Sequence, residues 1–146
     1  MKVAIGSDHA GYLLKEAIIT ELKNYGAEIE DFGTNTPDSV DYPDFAYPAS
    51  EAVAAGIADF GVLICGTGIG MSMVANKVTG IRAACCSNVE VAQLSRQHNN
   101  ANVLTFGARV IDIELAKKMI LEFIEGEFEG DRHMIRVEKI HSLTGW

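Results

Sequence analysis

Apolar runs of strand length alternate along the chain with segments of helical periodicity, and Gly, Asn or Asp stands at most of the switches. The apolar runs predict five strands, at residues 2–6, 27–32, 60–65, 81–86 and 102–106. The helical spacing predicts helices at residues 12–25, 47–55, 69–77, 89–97, 113–124 and 132–143. Repeated β–α units with crossovers of this length predict a doubly wound, five-stranded parallel α/β sheet with helices on both faces and an extra C-terminal helix.

Three local features refine this pattern. The run Phe60–Cys65 is the most continuous apolar segment and predicts the central strand. Pro37, Pro43 and Pro48 predict an irregular loop around the second helix, because proline interrupts backbone hydrogen bonding. Asp131 directly precedes the last helical segment and is therefore its expected N-cap.

The length and charge of the chain exclude several classes of protein. With 146 residues, the chain is long enough for one domain, 1–146, that buries roughly 70% of its unfolded surface. A net charge of -8 opposes binding to nucleic acid, since that affinity depends on clustered Lys and Arg. No apolar run approaches the length of a membrane span or a signal peptide core, so we expect a cytoplasmic protein with no membrane partner.

The three cysteines fall into two groups. None forms a C-x-x-C pair and no H-E-x-x-H spacing occurs, so we expect neither a disulfide framework nor a metal site. Cys85 and Cys86 continue an apolar strand, which predicts small core residues. Cys65 ends the central strand directly before a glycine-rich turn, where helix N-terminal amides favour a thiolate. Cys65 is therefore a candidate base for proton abstraction, and a small core residue is the alternative.

The turn after Cys65 has the features of an anion-binding loop. Gly66, Gly68 and Gly70 allow bare N–H groups to approach a ligand at the start of a helix, where the dipole favours negative charge. The anion is a phosphate or the oxyanion of an enediolate. The spacing departs from the dinucleotide fingerprint, because Met71 follows a G-x-G-x-G run. A tight turn that needs glycines without any ligand is the alternative.

Charged side chains elsewhere add candidates. Arg132 and Arg136 share one face of the last helix, so their repulsion is offset either by acidic side chains of the chain or by a phosphate. His9 follows the first strand and His98 precedes the fifth; each is suited to proton transfer near neutral pH, and each is alternatively a turn residue.

Seven separate segments, in order and spacing, closely resemble the ribose-5-phosphate isomerase B family. The resemblance runs almost end to end, and the galactose-6-phosphate isomerase subunits share parts of it. The segments are GSDHAG (6–11), DYP (41–43), CGTGIG (65–70), ANK (75–77), GIRA (80–83), SRQHN (95–99) and GDRH (130–133).

The resemblance implies roles for individual residues. It assigns Cys65 as the base that moves a proton between carbon 2 and carbon 1 of a small phosphorylated sugar, without a cofactor. It assigns His98 to opening of the furanose ring, with Thr67 and Asp8 assisting. Among the substrate-binding residues, it assigns the phosphate to His9, Arg132 and Arg136. The full substrate-binding set that it implies is Asp8, His9, Gly66, Thr67, Gly68, Ile69, Gly70, Asn99, Arg109, Arg132 and Arg136.

The resemblance also implies an assembly and a branch of the family. It implies a Rossmann-like homodimer, or a dimer of dimers, with active sites at the subunit interface and His98, Asn99 and Arg109 contributed by the partner. One branch carries a glutamate base at the position of Met71; the presence of Cys65 and Met71 places this chain in the cysteine branch.

Two other functions compete with a pentose phosphate isomerase. Isomerisation of a six-carbon sugar phosphate, such as allose or galactose 6-phosphate, uses the same chemistry. A non-catalytic nucleotide-binding domain is the alternative from another class, with residues 6–11 as the phosphate loop and Asp31 as the ribose acceptor.

Overall fold

The computed structural model describes residues 1–146 and contains five strands and six helices. The strands are β1 (Lys2–Ser7), β2 (Glu28–Asp31), β3 (Phe60–Cys65), β4 (Ala83–Cys85) and β5 (Val103–Gly107). The helices are α1 (Tyr12–Tyr25), α2 (Pro43–Ala54), α3 (Ile69–Ala75), α4 (Val89–Asn99), α5 (Ile113–Glu125) and α6 (Asp131–Thr144). All neighbouring strands are parallel, in the order β2-β1-β3-β5-β4. The doubly wound five-stranded fold and the central position of β3 are therefore confirmed.

The two faces of the sheet pack against different helices. Side chains alternate along each strand, so Val62 and Ile64 face one side while Leu63 and Cys65 face the other. The first side packs in a core of 18 buried residues with α1, α4 and α5, and the second in a core of 12 with α2 and α3. Cys65 therefore lies on the α2 and α3 side of the sheet.

Helix α5 shows how the local sequence produces these packed elements. The Asp112 side chain accepts a hydrogen bond from the Leu115 amide at 2.9 Å and caps the first turn. Apolar residues then recur every three or four positions and form the buried face. These residues are Ala116, Met119, Ile120, Phe123 and Ile124.

The expectation of an irregular loop at Pro43 is wrong, because α2 begins there, before the predicted helix start at residue 47, and continues through Pro48. Pro43 stands at the first helical position, where its missing N–H has no intrahelical partner to lose. Ala46, Ala49 and Val53 pack in the core beside Ala4 of β1, and this burial outweighs the cost of Pro48 inside the helix.

Two other local predictions need correction. Gly130, with φ of 69°, is the N-cap of α6, and Asp131 is already the first helical residue. Cys85 is exposed, because β4 is a three-residue strand at the edge of the sheet, whereas Cys86 is buried as predicted. None of the helices is long and apolar enough to span a membrane.

Candidate active site

The loop after β3 brings backbone amides to the sulfur of Cys65. The Gly68 N–H donates to Cys65 Sγ at 3.1 Å, and Cys65 is 5% exposed. Gly68 has φ of 81°, and a Cβ at this position would lie 2.6 Å from the Phe106 Cα, so the turn requires glycine. The buried Thr105 hydroxyl donates to the Gly68 carbonyl at 2.9 Å and holds the loop against β5. The loop thus places a donor on a thiol at the carboxyl end of the central strand.

The loop after β1 lies beside this thiol. The Asp8 amide donates to the Ile64 carbonyl at 3.1 Å, which ties the loop after β1 to β3 at the residue before Cys65. Asp8 Oδ1 accepts from the amides of Ala10 and Gly11 at 2.9 and 3.1 Å. His9 Nδ1 accepts from the Val40 amide at 3.2 Å, so a neutral His9 carries its proton on Nε2 and presents a donor there.

Arg109 and the remaining loop residues complete what we call the carboxyl-edge cluster. The Arg109 amide donates to the Gly66 carbonyl at 3.1 Å, and the Arg109 side chain packs over Gly66 within its own chain. Thr67 is exposed, and its hydroxyl accepts from the Ile69 amide at 3.3 Å. The carboxyl-edge cluster consists of Asp8, His9, Cys65, Gly66, Thr67, Gly68, Ile69, Gly70 and Arg109.

The other predicted site residues lie at the opposite end of the strands, the end at which the strands begin. His98 and Asn99 end α4, which starts beyond β4 and returns to the edge where β5 begins. Val103, the first residue of β5, pairs with Gly61, four residues before Cys65, so the two edges are about 13 Å apart along the strands. No hydrogen bond or ion pair joins His98 to Cys65 within the chain. We call His98, Asn99, Arg132 and Arg136 the amino-edge cluster.

Two neighbouring histidines join the ends of α4 and α6. The rings of His98 and His133 stack with centroids 4.2 Å apart and an interplanar angle of 5°. Glu129 Oε2 lies 3.7 Å from Nε2 of each ring. Burial lowers the pKa of His133, and the neighbouring His98 and Arg132 lower it further. Sequence reasoning gave no role to His133 and missed Glu129, whose importance depends on the tertiary contact.

The arginine pair has no acidic partner in the chain. Arg132 and Arg136 are exposed and take part in none of the ion pairs, and Arg132 Nε donates only to His133 Nε2, at 3.5 Å. The chain therefore has no acidic side chains that offset the repulsion between these two arginines. Both guanidinium groups are free to bind an anion.

One group of side chains is close enough to be considered as a metal site, namely His98, Glu129 and His133. The two imidazole rings are nearly parallel, so their in-plane lone pairs point side by side. A metal ion needs lone pairs that converge on one point. The arrangement therefore fits a stacked pair that shares a carboxylate better than it fits a metal.

Three cavities on the single chain are lined by residues other than Cys65. Their volumes are about 530, 280 and 490 Å³, and Asn99 lines the first of them together with Arg82. Cys65 itself packs in the core beside Leu63 and Met71. In one chain the sulfur thus has a hydrogen-bond donor but little open space beside it.

Asp31 is already paired within the chain. Its two carboxylate oxygens accept from Lys15 Nζ at 2.7 and 2.6 Å, and Oδ1 also accepts from the Gly33 amide at 2.9 Å. Lys15 is fully buried. The expected ribose acceptor of a nucleotide-binding domain is therefore engaged in an internal ion pair, which sequence reasoning did not foresee.

The doubly wound fold, with a thiol and a glycine-rich loop beyond its central strand, has the features of an enzyme that acts on a small anionic metabolite. Comparison with known proteins specifies the family. The chain belongs to the ribose/galactose isomerase family, whose model matches residues 3–140.

Individual relatives agree with this assignment over nearly their whole length. The chain is 49% identical to ribose-5-phosphate isomerase B of Escherichia coli K12, covering 97% of this chain and 95% of the relative. It is 45% identical to a D-erythrulose-4-phosphate isomerase of Pectobacterium atrosepticum, with 96% and 93% covered. The solved structure of Clostridium thermocellum ribose-5-phosphate isomerase B superposes with a TM-score of 0.97 at 50% identity, covering 99% and 98%.

Proposed function

We propose that this chain is a single-domain aldose–ketose isomerase, residues 1–146, that interconverts ribose 5-phosphate and ribulose 5-phosphate through an enediolate. The observation that carries the proposal is the contact between Cys65 Sγ and the Gly68 amide, at the carboxyl end of β3. Membership of the ribose/galactose isomerase family and near full-length similarity to ribose-5-phosphate isomerases support the substrate class.

Cys65 acts as the base in this mechanism. Isomerisation removes a proton from carbon 2 of the open-chain aldose and returns it to carbon 1, with negative charge on oxygen in between. A positioned base contributes about 10²- to 10⁴-fold in rate, and one preorganised donor to the oxyanion about 10²- to 10³-fold. Cys65 can supply the base, and the amides of Gly66, Thr67 and Gly70, which donate to no group within the chain, can supply donors to the oxyanion.

The remaining site residues hold the substrate. Arg132 and Arg136, which have no acidic partner, bind the phosphate together with the Nε2 donor of His9. Asn99 and Arg109 contact the sugar. His98 opens the furanose ring, and Thr67 and Asp8 assist at that step. Binding energy from the phosphate then orients a small molecule that offers few other groups.

A second copy of the chain completes the active site. The carboxyl-edge and amino-edge clusters do not touch within one chain, although one sugar phosphate must contact both. Exposed apolar side chains lie on the helices next to each cluster, namely Ile69 and Met73 on α3 and Ile135 and Leu143 on α6. A homodimer, or a dimer of dimers, buries such surfaces and joins the two clusters across the interface. Arg109 lies beside Gly66 of its own chain and can act from that side.

The cellular setting follows from the same considerations. Intermediates of sugar phosphate metabolism are found in the cytoplasm, and we propose that location for this enzyme. The net charge of -8 opposes nucleic acid as a partner. The proposed mechanism uses only side chains and backbone amides and needs no cofactor.

Comparative kinetics test the substrate. We expect the purified protein to show its highest kcat/KM with ribose 5-phosphate, against allose and galactose 6-phosphates. The four-carbon erythrulose 4-phosphate belongs in the same series, because a relative at 45% identity is named for it. A higher kcat/KM with a four- or six-carbon compound would show that this compound, and not ribose 5-phosphate, is the preferred substrate.

A thermal-shift titration tests the alternative class. Stabilisation by nucleotides, with no turnover of any sugar phosphate, would show that the chain is a nucleotide-binding domain and not an isomerase. The ion pair between Lys15 and Asp31 already opposes that outcome, since the acceptor for a ribose hydroxyl is occupied.

A further inference from the structure

A short segment between α5 and α6 is attached to the end of α4 beside His98. The Glu129 amide donates to the Gln97 carbonyl at 3.0 Å, so the backbone of Glu129 is fixed next to the residue that precedes His98. A Cβ at Gly126 would lie 3.1 Å from the Arg96 Cβ, which shows how closely the two segments pack. The fixed backbone of Glu129 therefore places its side chain beside the His98 ring.

Glu129 contacts both stacked rings with the same atom. Oε2 lies 3.7 Å from His98 Nε2 and 3.7 Å from His133 Nε2. His98 Nδ1 makes no hydrogen bond within the chain, and the His98 side chain is 34% exposed. With Nε2 directed at a carboxylate, His98 leaves Nδ1 as the atom that is open to a substrate.

We propose that Glu129 and His133 are positioning residues that hold His98 for ring opening. This inference rests on the function proposed above. Glu129 stabilises the imidazolium form of His98 through the ion pair at Nε2, while the His133 ring stacks on His98 and prevents it from rotating. Neither residue touches the substrate; both act through His98.

The ring-opening step then balances as follows. The bond between carbon 1 and the ring oxygen of the furanose breaks, and its electron pair stays on that oxygen. His98 Nδ1 gives its proton to this oxygen, and the hydroxyl on carbon 1 loses a proton to water as the carbonyl forms. Glu129 offsets the charge of the imidazolium before the transfer.

Two reactions separate this role from a structural one. Conversion of ribose 5-phosphate starts from a closed ring and requires opening. Ribulose 5-phosphate has its carbon-5 hydroxyl esterified and cannot form a five-membered ring, so hydrogen exchange at its carbon 1 in D₂O needs only the base. A variant defective in ring opening should lose the first reaction and keep the second.

The variant Glu129→Gln keeps the size of the side chain and removes its charge. We expect kcat for ribose 5-phosphate to fall about 10-fold, part of the 10²- to 10⁴-fold that a positioned acid–base group contributes. Exchange at carbon 1 of ribulose 5-phosphate should stay within twofold of the wild-type rate. Glu127→Gln is the matched control, because Glu127 is exposed on the same segment and forms no ion pair. His133→Phe keeps a stacked ring and should lose less than His133→Ala.

A double variant tests whether Glu129 acts through His98. In a His98→Asn background, Glu129→Gln should cause no further loss of ribose 5-phosphate turnover. Equal losses in both reactions, wild-type turnover by Glu129→Gln, or a full additional loss in the double variant would each overturn the inference. If the wild-type protein catalyses neither reaction, the proposed function fails and this inference fails with it; the wild-type assay alone identifies that case.

Discussion

Replacing Thr105 by valine removes one hydroxyl from the centre of β5 and keeps the shape of the side chain. Thr105 is fully buried, and its hydroxyl donates to the Gly68 carbonyl at 2.9 Å. The same residue, Gly68, donates its amide to Cys65 Sγ. The substitution therefore disturbs the loop that carries the donor to the sulfur of the proposed base, without altering any residue that we propose to contact substrate.

The structure allows the size of the effect to be worked out. The lost hydrogen bond costs about 0.5–1.5 kcal/mol. The Gly68 carbonyl still accepts from the Ser72 amide at 3.1 Å, so it does not become wholly unsatisfied. A methyl group cannot approach an oxygen as closely as a hydroxyl does, so the loop must also shift. We expect a total loss of about 1–2 kcal/mol in the free energy of unfolding. We also expect about a 10-fold loss in kcat, as part of the 10²- to 10⁴-fold that a positioned base contributes.

Urea denaturation at fixed protein concentration and steady-state kinetics with ribose 5-phosphate measure both effects. Thr105→Ser is the matched control, because it keeps the hydroxyl and loses one methyl, at about 1 kcal/mol. The valine and serine variants should thus be similarly destabilised, while only the valine variant loses turnover. Wild-type kcat in Thr105→Val, or an equal kcat loss in both variants, would refute the role of this hydrogen bond.

Other predictions concern groups outside the loop. Lys15→Met should destabilise the fold by about 2–3 kcal/mol in urea titrations, below the 3–5 kcal/mol of a fully buried pair because Asp31 is 32% exposed; a change under 0.5 kcal/mol would contradict this. Burial lowers the pKa of His133, and His98, Arg132 and Arg136 lower it further, while Glu129 raises it. The unfolded chain therefore binds more protons than the folded chain below about pH 6.5, so the free energy of unfolding should fall as the pH drops. An equally steep fall in the His133→Asn variant would show that His133 is not the cause of this pH dependence. Burial raises the pKa of Cys86 to about 11, so iodoacetamide at pH 8 should label the exposed Cys85 before Cys86. Mass spectrometry that shows labelling of Cys86 before Cys85 would contradict the burial of Cys86.

Much of the fold could be predicted from periodicity alone. The five strands and six helices follow from apolar runs and helical spacing, because each element must bury one face. The prediction failed where tertiary packing outweighs local preference. Burial of Ala46 and Ala49 extends α2 back to Pro43, before the predicted start at residue 47, and the short edge strand β4 leaves Cys85 uncovered.

The candidate site could be predicted only in part. Residues that follow parallel strands meet at one edge of the sheet, so the grouping of Asp8 with Cys65 follows from the order of elements. The contact of Glu129 with His98 could not be predicted, because it depends on how the segment after α5 packs on the end of α4. The hydrogen bond from the Thr105 hydroxyl to the Gly68 carbonyl could not be predicted either, since Thr105 lies inside an apolar strand.

Hydrogen exchange at carbon 1 of ribulose 5-phosphate in D₂O tests the central claim most directly, because it isolates proton transfer by the base from ring opening. The Cys65→Ala variant should lose exchange at least 10²-fold relative to wild type, while Cys85→Ala should retain it. Circular dichroism and urea denaturation establish that both variants are folded. Exchange by Cys65→Ala at the wild-type rate would show that another group moves the proton and would contradict the mechanism proposed for this enzyme.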